Sequence, residues 1–255
     1  MVLRPISAYM AANLVEQFHY SQVMPRITKA AYGWFDGEKL VGALTLGWGV
    51  RPVHTIAKAF PGLGTADYFE IGKMCLRDEL PRNSESQFLS QVIAAMRSDF
   101  PAVKLLYTWA DGILGKPGYV YQAANFFYGG FITTEIYLNA DGVKVHARTM
   151  QGISTVSGAG TMNSRAGEVT RAMGYQKYWG KQFRYVYPLC GKREWKDLQA
   201  GSPFPWERGH YPKDVDCTWG VDTDTGRKEC AMPPFTRGAY VKLKQPSLFG
   251  GAAGE

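Results

Sequence analysis

The sequence predicts an α+β fold, a mixed β-sheet flanked by helices, with an irregular C-terminal extension. Two hairpin signals, Asp36-Gly37 and Asn139-Ala140-Asp141-Gly142, call for antiparallel neighbours. A strand–helix–strand run from Tyr68 to Trp109 calls for parallel neighbours joined by a right-handed crossover. One chain holding both kinds of pairing makes a mixed sheet.

The elements follow in order. Ile6 to Phe18 has apolar residues at helical spacing and Ser7 as N-cap, and it ends in the turn His19-Tyr20-Ser21. Pro25 closes that segment. Ala31–Phe35 and Lys39–Trp48 are strands around Asp36-Gly37. Gly42, Gly47 and Gly49 on the second of them indicate a bulge or a close ligand approach. Arg51 to Asp67, with Pro52, Pro61, Gly62 and Gly64, reads as a loop. Tyr68–Leu76 is a strand, and Arg77–Asn83 a polar loop. Ser84 with Gln87 makes a capping box for a helix whose apolar face is Phe88, Leu89, Val92, Ile93 and Met96. Pro101 stops it. Val103 to Trp109 is a short apolar strand broken by Ala110-Asp111-Gly112. A helix then runs from Pro117 to a cap at Gly129-Gly130, with Tyr119, Val120, Ala123, Ala124, Phe127 and Tyr128 at helical spacing. Phe131–Leu138 and Val143–Arg148 flank the second hairpin turn. Gln151–Asn163 is Gly/Ser/Thr-rich, Ser164–Met173 reads as helix, and Gln182–Leu189 as a last strand. From Gly191 the texture changes to isolated Trp, many Pro and Gly, and no periodicity. The expected organisation is one folded domain over 1–191 and an irregular arm and tail over 192–255.

A chain of 255 residues, 45% hydrophobic and 20% charged, can bury a substantial core without disulfides or metal. No apolar run reaches membrane-spanning length and the N-terminus lacks a leader's apolar region, so the expected setting is cytoplasmic with no membrane partner. Cys75, Cys190, Cys217 and Cys230 are scattered. Cys217, Cys230 and His210 lack the CxxC spacing of a zinc site and read as ordinary side chains. Of the net charge of +7, the first 191 residues carry +6. A basic core is compatible with a polyanionic partner, or with a merely solvated basic surface.

Chemistry concentrates at one sheet edge. Asp111 is a lone acid where a strand gives way to a helix, and open α/β sheets place ligand chemistry in that crevice. The alternative role is capping the turn that follows. The crossover topology puts Ser84 and Ser86 on the same edge as Asp111. Tyr20 can stack on a planar group or act as an acid, and His19 can orient its neighbours. Tyr119, Tyr121, Phe126, Phe127 and Tyr128 offer a stacking surface or simply core.

Several stretches together resemble the Mom family of phage DNA-modification proteins, on a GNAT-like acyltransferase fold with a strongly twisted sheet. They are HYSQVMP (19–25), LVGALTLGWG (40–49), EIGKM (70–74), PRNSESQFLS (81–90), LLYTWADGILGKPGYVYQAANFFYGG (105–130) and VKVHARTM (143–150). The resemblance implies conversion of adenine in phage DNA to its N6-carbamoylmethyl form, which host restriction enzymes do not cut, in the host bacterial cytoplasm. It implies Asp111, Tyr20 and Ser86 as catalytic positions. His19, Lys73, Ser84, Tyr121 and Asn125 are the expected substrate-binding positions, Asn125 because an amide pairs with adenine N6 and N7. Where the family commonly has Arg, this chain has Lys73, which turns a fork of donors into one point charge. The loop that would hold coenzyme A, Arg82–Gln87, has no glycine and carries Glu85. Acetyl-coenzyme A and a glycyl-tRNA both stand as expected donors. The family's link to iron finds no matching cluster of residues.

Adenine N6 is a poor nucleophile, so an enzyme acting on it must extract the base and orient the amine with an acceptor. Asp111 is the candidate acceptor. Two other classes compete: a coenzyme A-dependent N-acyltransferase for a small amine or a protein, and a non-catalytic DNA-binding module. In the tail, Gln245, Leu248 and Phe249 resemble the peptide by which bacterial DNA enzymes dock on the sliding clamp. Double-stranded DNA, tRNA and that clamp are the expected partners.

Overall fold

The computed structural model describes residues 1–49, 51–145, 150 and 170–236. Gln245, Leu248 and Phe249, and most of the helix expected at 164–173, lie outside the described residues. Among the described residues no helix is long and apolar enough to cross a membrane.

Local sequence signals account for the first half of the sheet. Strand β1 (Val2–Pro5) leads into α1 (Ala8–Phe18), where the Ser7 hydroxyl accepts the Met10 N–H at 3.2 Å. The buried side of α1, Ala11, Leu14 and Val15, packs over the hairpin of β2 (Thr28–Asp36) and β3 (Lys39–Gly47). Gly37 turns that hairpin with φ +57°. Gly47 is a close approach, though to the chain's own backbone at Ile27 rather than to a ligand.

Next come β4 (Tyr68–Leu76), α3 (Ser84–Asp99) and β5 (Leu105–Ala110). Phe88, Leu89, Val92 and Met96 are fully buried, and this apolar stripe holds α3 on the sheet. The capping box does not form. Asn83 takes the N-cap position at φ +69°, and Ser84 instead donates its hydroxyl to the Pro81 carbonyl at 2.7 Å.

Sheet order is β1-β2-β3-β4-β5-β8-β6-β7, with β6 (Phe127–Asn139), β7 (Lys144–Val145) and β8 (Tyr175–Pro188). Among the described residues only β4 and β5 pair in parallel, so the sheet is mixed as expected. β8 is longer than the segment predicted from Gln182, because Tyr175–Lys181 pair with the far half of β6.

Three expectations need correction. The helix expected over 117–130 is the short α4 (Tyr119–Ala123). Asn125 at φ +60° ends it, and Phe127 and Tyr128 already pair with Val186 and Tyr185. Gly129-Gly130 is thus not a helix cap but the register shift in β6 between Tyr128 and Phe131.

The loop expected over 51–67 contains α2 (Pro52–Ala59), with Pro52 at its start and Ile56 and Ala59 buried. The arm after 191 is not irregular throughout. It forms α5 (Lys192–Gly201) and a hairpin of β9 (Trp219–Thr223) and β10 (Gly226–Cys230) that extends the sheet from β8. Trp195 and Trp206, isolated in sequence, are buried with Phe60 of the α2 segment, and the Phe60 and Trp206 rings stack at 5.1 Å.

Trp206 lies flat on Gly129, where a Cβ would collide with the indole. Gly129→Ala should therefore cost about 1–3 kcal/mol by overpacking. Gly191→Ala is the matched control, since a Cβ there meets nothing within 4 Å. Thermal unfolding with Trp emission as the probe checks this: a lowered midpoint and altered emission for the first, neither for the second.

Candidate active site

The site exists because β4 and β5 part company. Their parallel ladder covers only Tyr68↔Leu105, Phe69↔Leu106 and Glu70↔Tyr107, although both strands continue. Beyond Glu70 and Tyr107 the strands diverge, and a cavity of about 760 Å3 opens between them. β4 also bulges there. Its register against β3 slips between Thr45↔Lys73 and Leu46↔Ile71, leaving Gly72 unpaired. The Lys73 N–H, displaced from the ladder, donates to the buried Thr45 hydroxyl at 2.9 Å.

Asp111 stands at the end of β5, facing this wedge. It precedes the 3-10 turn Gly112–Leu114, yet its carboxylate makes no capping bond. The Tyr20 hydroxyl donates to Oδ2 at 2.6 Å, and the Gln182 amide donates to Oδ1 at 3.0 Å. Capping is therefore not the role of the side chain. Gln182 is in place because β8 runs antiparallel to β5, with Phe183 opposite Ala110.

Burial, then the neighbouring Asp111 charge, pushes the Tyr20 phenol well above its ordinary range, so it stays a donor. Lys116 sits over its ring at 4.8 Å. On the other side the His19 ring stacks on Tyr20 at 4.2 Å, and its Nδ1 meets Ser21 backbone groups at 2.8 and 2.9 Å. Burial, reinforced by the Lys73 charge, lowers His19 to about 3, leaving the imidazole neutral. Burial likewise lowers Lys73 to about 8, against an opposing pull from Asp111. Burial raises the Tyr121 phenol to about 12.

Of the residues expected at the site, Tyr20, His19, Lys73, Ser84, Asp111 and Tyr121 line this one cavity. Ser86 does not. It is half-buried two residues further along α3 than Ser84, and its hydroxyl donates to the Asn83 carbonyl at 3.0 Å. Asn125 is exposed and outside the cavity, and its left-handed backbone ends α4. Among the aromatics, Tyr119 and Tyr121 line the wedge, while Phe126 is core and Phe127 packs on Trp195 at 4.7 Å. Among the described residues no group of three or more His, Cys, Asp or Glu is placed to hold a metal.

Sequence reasoning missed Gln182 and Glu70. Gln182 begins the strand QFRYVYPL, but nothing local says which side chain it will meet. Glu70 interrupts an apolar strand, which was the available signal. Burial alone raises its carboxyl to about 7.

His19 and Glu70 give opposite pH slopes. His19 binds its proton more weakly folded than unfolded, so its contribution is present above 6.5 and is lost as pH falls toward 3. Glu70 binds its proton more tightly folded, so its contribution is lost as pH rises from 4.5 through 7. Between about pH 5 and about pH 7 the two oppose one another. Urea unfolding across that window should show a stability that rises with pH in Glu70→Gln and falls with pH in His19→Gln. Parallel slopes in the two variants would contradict the assignment.

A model of the Mom protein family matches residues 1–213. The Methylcarbamoylase mom of Escherichia phage Mu is 32% identical over 148 residues, 58% of this chain and 61% of that protein. The chain thus covers less than two thirds of that relative's length. It is similar to an N-acetyltransferase from Staphylococcus aureus Mu50, with TM-score 0.39 and 14% identity over 74% of this chain and 97% of that one. It is also similar to Arabidopsis thaliana NAA60 in complex with acetyl-CoA, with TM-score 0.41 and 13% identity over 74% and 99% of the two chains. With the family model spanning most of its length, the chain belongs to the Mom protein family.

Proposed function

We propose that this protein modifies DNA, transferring a carbamoylmethyl group to N6 of adenine and so protecting phage DNA from host restriction. The observation that carries the reading is the Asp111 carboxylate in the wedge, held by Tyr20 and Gln182 at 2.6 and 3.0 Å. Family membership, and the phage Mu relative's name as a methylcarbamoylase, support the reaction class. The net charge of +7 suits a DNA substrate.

The bond formed joins N6 to the methylene carbon of the carbamoylmethyl group; the bonds broken are N6–H and the bond from that carbon to its carrier, which leaves with the bonding pair. Asp111 accepts the N6 proton, or the hydrogen bond that precedes its loss, at the carboxylate. Tyr20 and Gln182 fix the carboxylate's orientation beforehand, so little reorganisation is needed when charge develops. Neutral His19 packs against Tyr20 and keeps its ring in place.

A coenzyme A donor would meet the start of α3. The Ser84 and Ser86 hydroxyls there are spent on backbone carbonyls, so the N–H groups of Glu85 and Ser86 are what the helix offers an anion. Such a donor would supply two carbons activated at the thioester carbonyl; the amide nitrogen of a carbamoylmethyl group and the attachment through its methylene would have to come from a second, amine-bearing donor.

Nucleoside mass spectrometry of DNA from bacteria expressing the protein should reveal a modified deoxyadenosine. Asp111→Asn should reduce it by at least about a hundredfold, because the amide keeps the shape but takes no proton. Tyr20→Phe, which frees one carboxylate oxygen, should reduce it less. An unmodified profile from folded wild-type protein would refute the proposal. Binding to duplex DNA should weaken steeply with added salt as phosphate contacts release counterions.

A further inference from the structure

On the far side of Glu70 and Gly72 from the wedge lies a second, smaller cavity of about 290 Å3. Its lining is mostly apolar, with the Lys29 ammonium over the Trp48 ring at 4.7 Å. The Trp48 indole is pinned by its N–H bond to the Thr65 carbonyl at 3.0 Å, and Pro25 and Pro52 are rigid by nature. Gly49 and Gly72 leave no room for a Cβ, the first against the Glu70 carboxylate and the second against Pro25. Glu70 is the acid in the lining, and it lines both cavities. Among the described residues no Lys or Arg forms an ion pair with it. At the rim stand Arg26 and Arg51, both exposed and, among the described residues, without an ion pair or ring contact.

A mostly apolar slot, one carboxyl inside and two free guanidinium groups at the mouth match one kind of ligand: a planar base attached to phosphates. We propose that this slot receives an adenine turned out of the duplex, with Glu70 pairing its N1 and N6 edge and Arg26 and Arg51 holding the flanking phosphates. This rests on the proposed function and deepens it. Because Glu70 borders both cavities, an amine paired with it faces the wedge that holds Asp111.

The chemistry of the edge specifies the protonation state. Adenine offers one acceptor, N1, and one donor, N6–H, so a carboxyl satisfies both only when it carries its own proton. Glu70 does so up to about pH 7 because it is buried. Guanine offers two donors, N1–H and N2–H, which an ionised carboxylate accepts. The groups around Glu70 do not replace it in this role. Tyr68 beside it, Tyr107 from β5 and Tyr121 from α4 are phenols raised by burial. In the adjoining wedge His19 is already neutral and Lys73 titrates near 8; Arg77, Asp78, Glu85, Asp111 and Lys116 are the other charged groups in its lining.

The experiment titrates the full chain with deoxyadenosine and deoxyguanosine from about pH 6 to about pH 8, following Trp emission. Nucleosides are analysed in parallel from cells expressing the same variants. Wild-type affinity for deoxyadenosine should fall about tenfold over that range as Glu70 ionises, and affinity for deoxyguanosine should not. Glu70→Gln, whose amide keeps a donor and an acceptor, should bind deoxyadenosine with no pH dependence. Glu70→Leu should lose about tenfold at the acid end. Arg26→Ala should weaken dAMP and leave deoxyadenosine unchanged. If wild type binds no deoxyadenosine, or binds it independently of Glu70 while still modifying DNA, the slot is wrong and the proposed function stands. Glu70-dependent binding with unmodified DNA supports the slot and refutes the function.

Discussion

The structure depends on one constraint: two parallel strands that pair for three residues and then separate. A parallel pair normally hides its backbone groups in a continuous ladder. Here the bulge at Gly72 and the Thr45 hydroxyl serve the β3 edge of β4, and β8 pairs with the far edge of β5, so the facing edges of β4 and β5 have no ladder beyond Glu70 and Tyr107. The gap so created is polar backbone facing a cavity, the kind of surface that loops and sheet edges give to ligands. Everything with chemical character at this end of the sheet gathers around it.

The partners of the Asp111 carboxylate come from two distant places. Tyr20 arrives from the turn after α1 and Gln182 from β8, while Lys116, just beyond the 3-10 turn, covers the Tyr20 ring. The carboxylate is therefore a joint between the N-terminal helix, the central strands and the long antiparallel ribbon of β6 and β8. Arg184, two residues beyond Gln182, binds that ribbon inward. It is buried, donates to the Gly129 carbonyl at 2.5 Å and lies over the Phe204 ring at 3.8 Å. The arm after residue 191 is thus tied to the strand that orients Asp111.

Periodic and capped elements were legible in the sequence: α1 with Ser7, the Asp36-Gly37 hairpin, β4, the apolar stripe of α3 and β5. Each is dictated by residues close in the chain. The failures share the opposite cause. Tyr119 to Tyr128 has helical spacing, but strand pairing with β8 and a left-handed Asn125 override it. Trp195 and Trp206 read as isolated because their partner, Phe60, is far away in sequence. At the site, Tyr20, Lys73 and Asp111 were legible as residue types in suggestive turns and strands. Ser86 and Asn125 were not distinguished from neighbours because a single residue's rotation about α3, or one backbone angle, decides which way each side chain faces.

The unpaired Gly72 also sets the phase of a whole strand. Side chains on a regular strand alternate, so positions of odd separation cannot share a side. Inserting one unpaired residue resets that count, and Glu70 and Lys73, three apart, come to border the same space. A half-buried acid and a half-buried amine are thereby set along one wall, on either side of a glycine that carries neither. The bulge works as a phase shifter, and the strand beyond it is read in a different frame from the strand before it.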